Sequence, residues 1–140
     1  MHVLYYSPGS ASFVVHWLLL ELGVPHELRL VDTAARQQKS PEYLALNPNG
    51  VVPTLVIDGK PSYEAAALLL DLADAHPQAG FAPIPGTPER RDLYQWMFNL
   101  ANMVQPLFRQ WWYPSEPAGA ERADEVRACW ARRSPSPIST

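Results

Sequence analysis

Three segments of the chain carry residues that could bind or activate a ligand. They are a turn that holds Ser10 and Ser12, a Val52-Pro53 pair after Asn-Gly, and a Tyr-Glu pair that ends at Glu64. Each also has a plain structural explanation. A serine can cap a helix, a proline can sit in a turn at a sheet edge, and a carboxylate at a helix start is favoured by the macrodipole. The chemistry therefore depends on the elements that would bring these segments together.

The first third of the chain predicts a β-α-β unit. Residues 2–6 are β-branched and aromatic and end at Ser-Pro-Gly, so they predict a strand. The next segment, up to Leu22, is apolar almost all round and predicts a helix that is largely buried. Residues 26–32 alternate polar and apolar side chains, which indicates a half-buried strand. We expect this strand to lie parallel to the first.

The next segment predicts an α-β-β-α order. Ser40 and Pro41 favour the start of a short helix over residues 41–46. Residues 51–57 predict a strand interrupted by Pro53, and Asp58-Gly59 predicts a hairpin that returns to residue 63. Helix formers fill residues 64–75. The expected fold class is α/β, with a mixed sheet and helices on both faces.

Helical patterns dominate the rest of the chain. A long helix is predicted from Pro88, with apolar side chains at three- and four-residue spacings up to Trp111 and a kink at Pro106. We expect four parts: residues 1–77 as the α/β domain, 78–87 as an ordered linker, 88–133 as a partial all-helical domain and 134–140 as a disordered tail.

Composition excludes several classes of protein. The 140 residues carry a net charge of -3 with 11 Lys and Arg, which gives no basic stripe for nucleic acid. The single Cys129 excludes an intramolecular disulfide framework and a multi-cysteine metal site. No run of 18 apolar residues and no signal peptide occur, so we expect no membrane span and a cytoplasmic location.

Three longer stretches resemble the glutathione transferase family in order and spacing: LYYSPGSASFVVHWLLLELGVPHELRLVD, SPEYLALNPNGVVPTLVIDG and YEAAALLLDLAD. The resemblance implies a complete thioredoxin-like N-terminal domain. It extends through residues 88–116, which resemble the first helix and a half of the family's all-helical second domain. The further helices of that domain have no counterpart after Arg133, so a truncated second domain is expected.

The resemblance implies a glutathione site at the three segments. Val52, before a cis Pro53, would pair with the cysteinyl backbone of glutathione. Glu64 would receive the α-amino group of the γ-glutamyl end, and the backbone N–H of Ala65 would meet its carboxylate. The family commonly has serine at Ala65, so one hydrogen bond worth about 0.5–1.5 kcal/mol is expected to be lost.

The resemblance also implies a hydroxyl that stabilises the glutathione thiolate. Ser10 lies where the serine-using classes place it, Ser12 is the alternative, and Tyr6 is a weaker one. Ala11 stands where the bacterial beta-like class carries a cysteine, so that thiol chemistry is excluded.

Two positions in the polar loops are open between a site role and a structural one. Lys39, with Arg36 beside it, could supply a cation for the glycine end of glutathione or be a solvated loop charge. Asn49 could be a site residue or a turn residue. The resemblance implies no metal.

Two functions stay open. The first is glutathione transferase, a detoxification enzyme, usually dimeric, that conjugates glutathione to small hydrophobic electrophiles. The second is a truncated, catalytically weak or inactive member that only binds glutathione or a protein partner. A thiol-disulfide oxidoreductase is excluded, because residues 10–12 hold no cysteine.

Overall fold

The structure is a computed structural model that describes residues 1–113, 115 and 119–133. Its contacts form two compact units, of which the first is Met1–Arg91 and the second begins at Asp92. The predicted tail at 134–140 lies outside the described residues. None of the described helices is long and apolar enough to cross a bilayer.

The first unit is a four-stranded mixed sheet with helices on both faces, as predicted. Its strands and α-helices in chain order are β1 (His2–Tyr6), α1 (Ser12–Glu21), β2 (His26–Leu30), α2 (Pro41–Leu44), β3 (Thr54–Ile57), β4 (Lys60–Tyr63) and α3 (Ala65–Ala75). The strands pair in the order β2-β1-β3-β4, with β1 and β2 parallel and the other neighbours antiparallel.

The two faces of the sheet are covered by different helices. On one face, buried leucines and valines of the sheet, α1 and α3 form the core: Leu4, Val15, Leu19, Val24, Leu55, Leu68 and Leu72. On the other face, the Tyr5 ring of β1 meets the Tyr43 ring of α2 edge-on, with centroids 5.8 Å apart. The alternation of side chains along β1 therefore divides its residues between the two layers.

The expectation that α1 is largely buried is wrong. The helix buries only Ser12, Val15 and Leu19, whereas Trp17 and Leu20 are 56% and 59% exposed. The physical reason is geometric: the sheet and α3 cover one stripe of α1, with residues spaced three and four apart. An apolar composition on every side of a helix does not show how much of the helix surface is covered by other elements.

Several element boundaries differ from the prediction. The strand expected from residue 51 begins at Thr54, after Pro53, which has no N–H for the ladder. The helix expected over residues 41–46 ends at Leu44, and the strand expected over residues 26–32 ends at Leu30. The hairpin turn is as predicted: Asp58 and Gly59 have φ of 48° and 82°, the positive values that a type I′ turn requires.

The helical part consists of α4 (Pro88–Asn99), α5 (Gln105–Trp112) and α6 (Ala123–Arg133). A π-helical turn over Leu100–Val104 separates α4 from α5, so the long predicted helix is interrupted. The irregular turn lies directly before Pro106, which lacks the N–H for an i→i−4 bond.

Candidate functional site

Strand register brings the three candidate segments to one end of the sheet. Tyr5 of β1 pairs with Thr54 of β3, and Thr54 pairs with Tyr63 of β4. The chain leaves β1 toward the serine turn, enters β3 from Val52-Pro53 and leaves β4 at Glu64. Three distant parts of the sequence therefore lie at the same end of the sheet.

The serine turn is a closed set of short contacts. Ser10 Oγ lies 2.7 Å from the Ser7 carbonyl and 2.7 Å from Ser12 Oγ. Ser12 Oγ also lies 3.1 Å from the Ser7 carbonyl and accepts the Ser7 N–H at 3.2 Å. Ser12 is buried, whereas Ser10 is partly open. Of the two candidates, Ser10 is therefore the hydroxyl that a ligand can reach.

A capping role and a donor role are compatible at Ser10. The N-cap residue of α1 is Ala11, which has no side-chain cap bond. The Ser12 N–H instead donates to Ser10 Oγ at 3.2 Å. A hydroxyl that accepts a bond at the helix start keeps its own proton, so Ser10 can still donate to an anion near the helix N-terminus.

The main-chain N–H and C=O of Val52 lie at this end of the sheet. The Val52–Pro53 peptide bond is cis, as the family resemblance implied. Among the described residues, the Val52 N–H and C=O have no hydrogen-bond partner. Free main-chain groups of this kind can pair with an extended peptide.

Three buried polar side chains hold the loop before Val52, and the sequence analysis missed them. The Tyr43 hydroxyl and Asn47 Nδ2 each lie 2.8 Å from the Val51 carbonyl. Both also reach Thr54 Oγ1, at 2.8 Å and 3.2 Å. Burial raises the pKa of Tyr43. The available signal was the pair of polar residues, Asn47 and Thr54, on either side of an apolar Val-Val-Pro.

Lys39 lies over the turn of this same loop. Its Nζ donates to the Asn49 carbonyl at 3.1 Å, which leaves further N–H groups for an anion. Gly50 makes the close approach possible, because its φ is +59° and a Cβ there would lie 2.8 Å from Lys39 Nζ. Asn49 is held by its main chain, since its N–H donates to Asn47 Oδ1 at 3.1 Å. Arg36 is exposed in the preceding polar loop.

Glu64 has a backbone conformation that ordinary residues avoid. Its φ is +74° and its ψ is 106°, and its side chain makes no cap hydrogen bond to α3. Simple capping therefore does not explain Glu64, and a strained residue in a ligand cleft is typical of a functional position. Ala65 is the first residue of α3, where main-chain N–H groups have no intrahelical acceptor.

The assembled groups suit a small zwitterionic peptide. At this end of the sheet, the Glu64 carboxylate can bind a cation. The Lys39 ammonium and the start of α3 can bind carboxylates, and the Ser10 hydroxyl can bind a further anion. No group of three or more His, Cys, Asp or Glu within the described part of the chain could hold a metal ion.

The comparisons with known proteins identify the family. Residues 10–75 match the model of the glutathione S-transferase N-terminal domain. A glutathione S-transferase of Xanthomonas campestris is 36% identical over 126 residues, which are 87% of this chain and 61% of that protein. The chain spans between 41% and 61% of the length of three curated relatives that it matches.

Two solved structures are similar to this chain over most of its length. A glutathione transferase of Methylococcus capsulatus has a TM-score of 0.79 and 31% identity, over 95% of this chain and 65% of that one. A glutathione transferase homologue of Sulfitobacter, with bound glutathione, has a TM-score of 0.77 and 29% identity, over 94% and 67%. With the thioredoxin-like sheet and the cis Val52–Pro53 bond, these matches show that the chain belongs to the glutathione S-transferase family.

Proposed function

We propose that this chain binds glutathione at the end of the sheet where Ser10, Val52 and Glu64 lie, and that it acts as a glutathione transferase. The observation that carries the proposal is Val52, whose N–H and C=O have no partner among the described residues and lie at the same end of the sheet as Ser10 and Glu64. Glutathione is a tripeptide thiol, so its cysteinyl main chain can pair with Val52 as an added strand would. The glutathione bound in the Sulfitobacter homologue supports the same ligand here.

The charged groups of the proposed site fit the two ends of glutathione. The Glu64 carboxylate receives the γ-glutamyl ammonium, and the Ala65 N–H at the start of α3 receives the γ-glutamyl carboxylate. Lys39 faces the glycine carboxylate with the N–H groups that Asn49 does not use. Asn49 contributes by holding the Lys39 ammonium in place.

The chemistry is formation of a thiolate followed by its attack on carbon. The Ser10 hydroxyl and the N-terminus of α1 stabilise the sulfur anion, which lowers the pKa of the glutathione thiol. The thiol proton leaves to solvent, the sulfur anion forms a bond with the electrophilic carbon of a small hydrophobic substrate, and the leaving group, halide in an aryl halide, departs with its bonding electron pair. The rate gain comes from thiolate formation and from holding the reactants together.

A calorimetric titration with reduced glutathione tests the site. We expect saturable binding by the folded chain and roughly 10–100-fold weaker binding by Glu64→Ala, because a charge-assisted hydrogen bond is lost. Asp71→Ala is the matched control, since it removes an exposed carboxylate from the same helix away from its start. A folded chain that does not bind, or a Glu64→Ala variant with unchanged affinity, would contradict the proposal.

Turnover is tested separately with an activated aryl halide, by following the conjugate. We expect conjugation to be lost in Ser10→Ala while glutathione still binds. Binding without conjugation by the unmodified chain would favour the second function, a member that only binds glutathione or a protein partner.

We also propose that the chain forms a homodimer in the cytoplasm. Large apolar side chains are exposed in the second unit, among them Trp96, Phe108 and Trp112 at 61%, 60% and 70%. Exposed apolar surface of this kind favours association, and the exposed free thiol of Cys129 suits a reducing compartment. A sedimentation experiment that finds only monomer at every concentration would contradict the dimer.

A further inference from the structure

We propose that Ser12 is a positioning residue for Ser10, and that its buried hydroxyl releases the Ser10 proton for the glutathione thiolate. This inference rests on the proposed function, because it concerns how the same site stabilises the thiolate. It gives the two candidate serines different tasks: Ser10 touches the sulfur, and Ser12 acts through Ser10.

Burial separates the two serines. Ser12 is 1% exposed and is fixed from both sides, since its Oγ accepts the Ser7 N–H at 3.2 Å and its own N–H donates to Ser10 Oγ at 3.2 Å. Ser10 lies in the turn before α1 and is partly open. Ser12 therefore cannot meet a ligand directly, but its oxygen lies 2.7 Å from the one that can.

The number of protons decides how the hydroxyls share their bonds. Three oxygen–oxygen contacts link Ser7, Ser10 and Ser12: 2.7 Å from Ser10 Oγ to the Ser7 carbonyl, 3.1 Å from Ser12 Oγ to that carbonyl, and 2.7 Å between the hydroxyls. The two hydroxyls supply one proton each. One of the three contacts is therefore without a proton at any moment, and the bonds can be exchanged.

The exchange lets Ser10 turn outward without loss. Before glutathione binds, Ser10 can donate to the Ser7 carbonyl while Ser12 donates to Ser10. When the glutathione S–H gives its proton to solvent, the Ser10 O–H turns to the sulfur anion. Ser12 then turns its own O–H to the Ser7 carbonyl, 3.1 Å away, so that carbonyl keeps a hydrogen bond.

Removing the Ser12 hydroxyl withdraws this second donor. Ser10 is then the remaining hydroxyl of the turn within reach of the Ser7 carbonyl, so donation to the thiolate leaves that carbonyl without the bond. An unmade bond at a part-buried acceptor costs free energy. The thiol of bound glutathione should therefore hold its proton to a higher pH.

The test is a pH titration of bound glutathione, followed by the ultraviolet absorbance of the thiolate. Ser10→Ala should lower the thiolate fraction at a fixed pH by roughly tenfold, and Ser12→Ala by roughly threefold. The double variant should match Ser10→Ala alone, because a residue that acts through another adds nothing once that residue is gone. Ser12→Thr keeps the hydroxyl and should restore the thiolate.

The readouts separate the possible failures. Glutathione affinity, measured where the thiol is protonated, should be unchanged in Ser12→Ala, which shows that the fold is intact; if that variant does not fold, Ser12→Val, which has the shape of Ser12→Thr without the hydroxyl, replaces it. Additive effects in the double variant would overturn the inference, as would an unchanged thiolate in Ser12→Ala. A parent chain that does not bind glutathione fails at the earlier step, as a failure of the proposed function.

Discussion

At the scale of one residue, the binding role proposed for Glu64 opposes stability. Its φ of +74° lies in a region that residues with a Cβ rarely adopt. Such strain costs about 1–3 kcal/mol and persists where the surrounding structure enforces it. The hairpin of β4 before Glu64 and the start of α3 after it enforce the conformation, and the result is a carboxylate free of capping bonds.

Glycine at position 64 should relieve this strain. We expect Glu64→Gly to be about 1 kcal/mol more stable than Glu64→Ala, because glycine tolerates positive φ whereas alanine keeps the strain. Both variants should lose the same part of glutathione affinity. Urea unfolding of the two variants side by side measures the difference, and equal midpoints would show that the position is not strained.

The site residues were predictable to different degrees. Ser10, Val52 and Glu64 belong to local motifs whose order matches the family, so they were named before the structure. Tyr43 and Asn47 were not, because their task is to satisfy the Val51 carbonyl, and only folding brings that carbonyl to them. A buried polar network is a property of contacts, which a residue type does not reveal.

α1 shows at the scale of an element how one stripe supports a helix. Leu19 is fully buried against the sheet and α3, whereas its neighbour Leu20 is 59% exposed. The two residues are adjacent leucines in the same helix, and they differ in how much of the side chain is buried. They therefore provide a matched comparison of burial alone.

Leu19→Ala should cost about 2–5 kcal/mol of unfolding free energy, from lost burial and the cavity left behind. Leu20→Ala should change it by less than about 0.5 kcal/mol, since the side chain is in solvent and alanine is a good helix former. Thermal or urea unfolding measures both. A large cost for Leu20→Ala would mean that the outer face of α1 is covered after all.

A buried arginine defines how far the first unit extends at the scale of the whole molecule. Arg90 is 1% exposed, donates to both carboxylate oxygens of Asp74 at 2.6 Å, and reaches the Pro83 carbonyl at 3.1 Å. These bonds attach the end of α3 and the segment before α4 to the start of α4. Because of these bonds, the first unit extends beyond residues 78–87 and ends at Arg91. The role of residues 78–87 as a linker stays a prediction.

This ion pair should make stability depend on pH in the acid range. The hydrogen bonds from Arg90 hold the pKa of Asp74 below its usual range. A carboxylate with a lowered pKa in the folded state stabilises the fold above its unfolded pKa, and the contribution disappears as the pH falls below about 4. The stability of the parent chain should therefore fall through this window.

Asp74→Asn should remove that dependence and lower stability at pH 7 by about 1–3 kcal/mol, less than for a fully buried pair because the Asp74 side chain is 42% exposed. Unfolding measured from pH 7 to pH 3 tests this, with the exposed Asp71→Asn as control. A variant that keeps the acid dependence of the parent would show that other groups cause it.

The sequence by itself determined the order of strands and helices, the Asp58-Gly59 turn, the family and the segments of the site, because these depend on local patterns that each segment carries alone. Only the tertiary structure decided that one face of α1 is exposed, that Arg90 is buried on Asp74, that Tyr43 and Asn47 hold the Val52 loop, and that Ser12 lies beneath Ser10. Each of these depends on which surfaces and polar groups meet after folding. Composition and spacing do not contain that information, since a side chain's free energy is decided by the partner it finds.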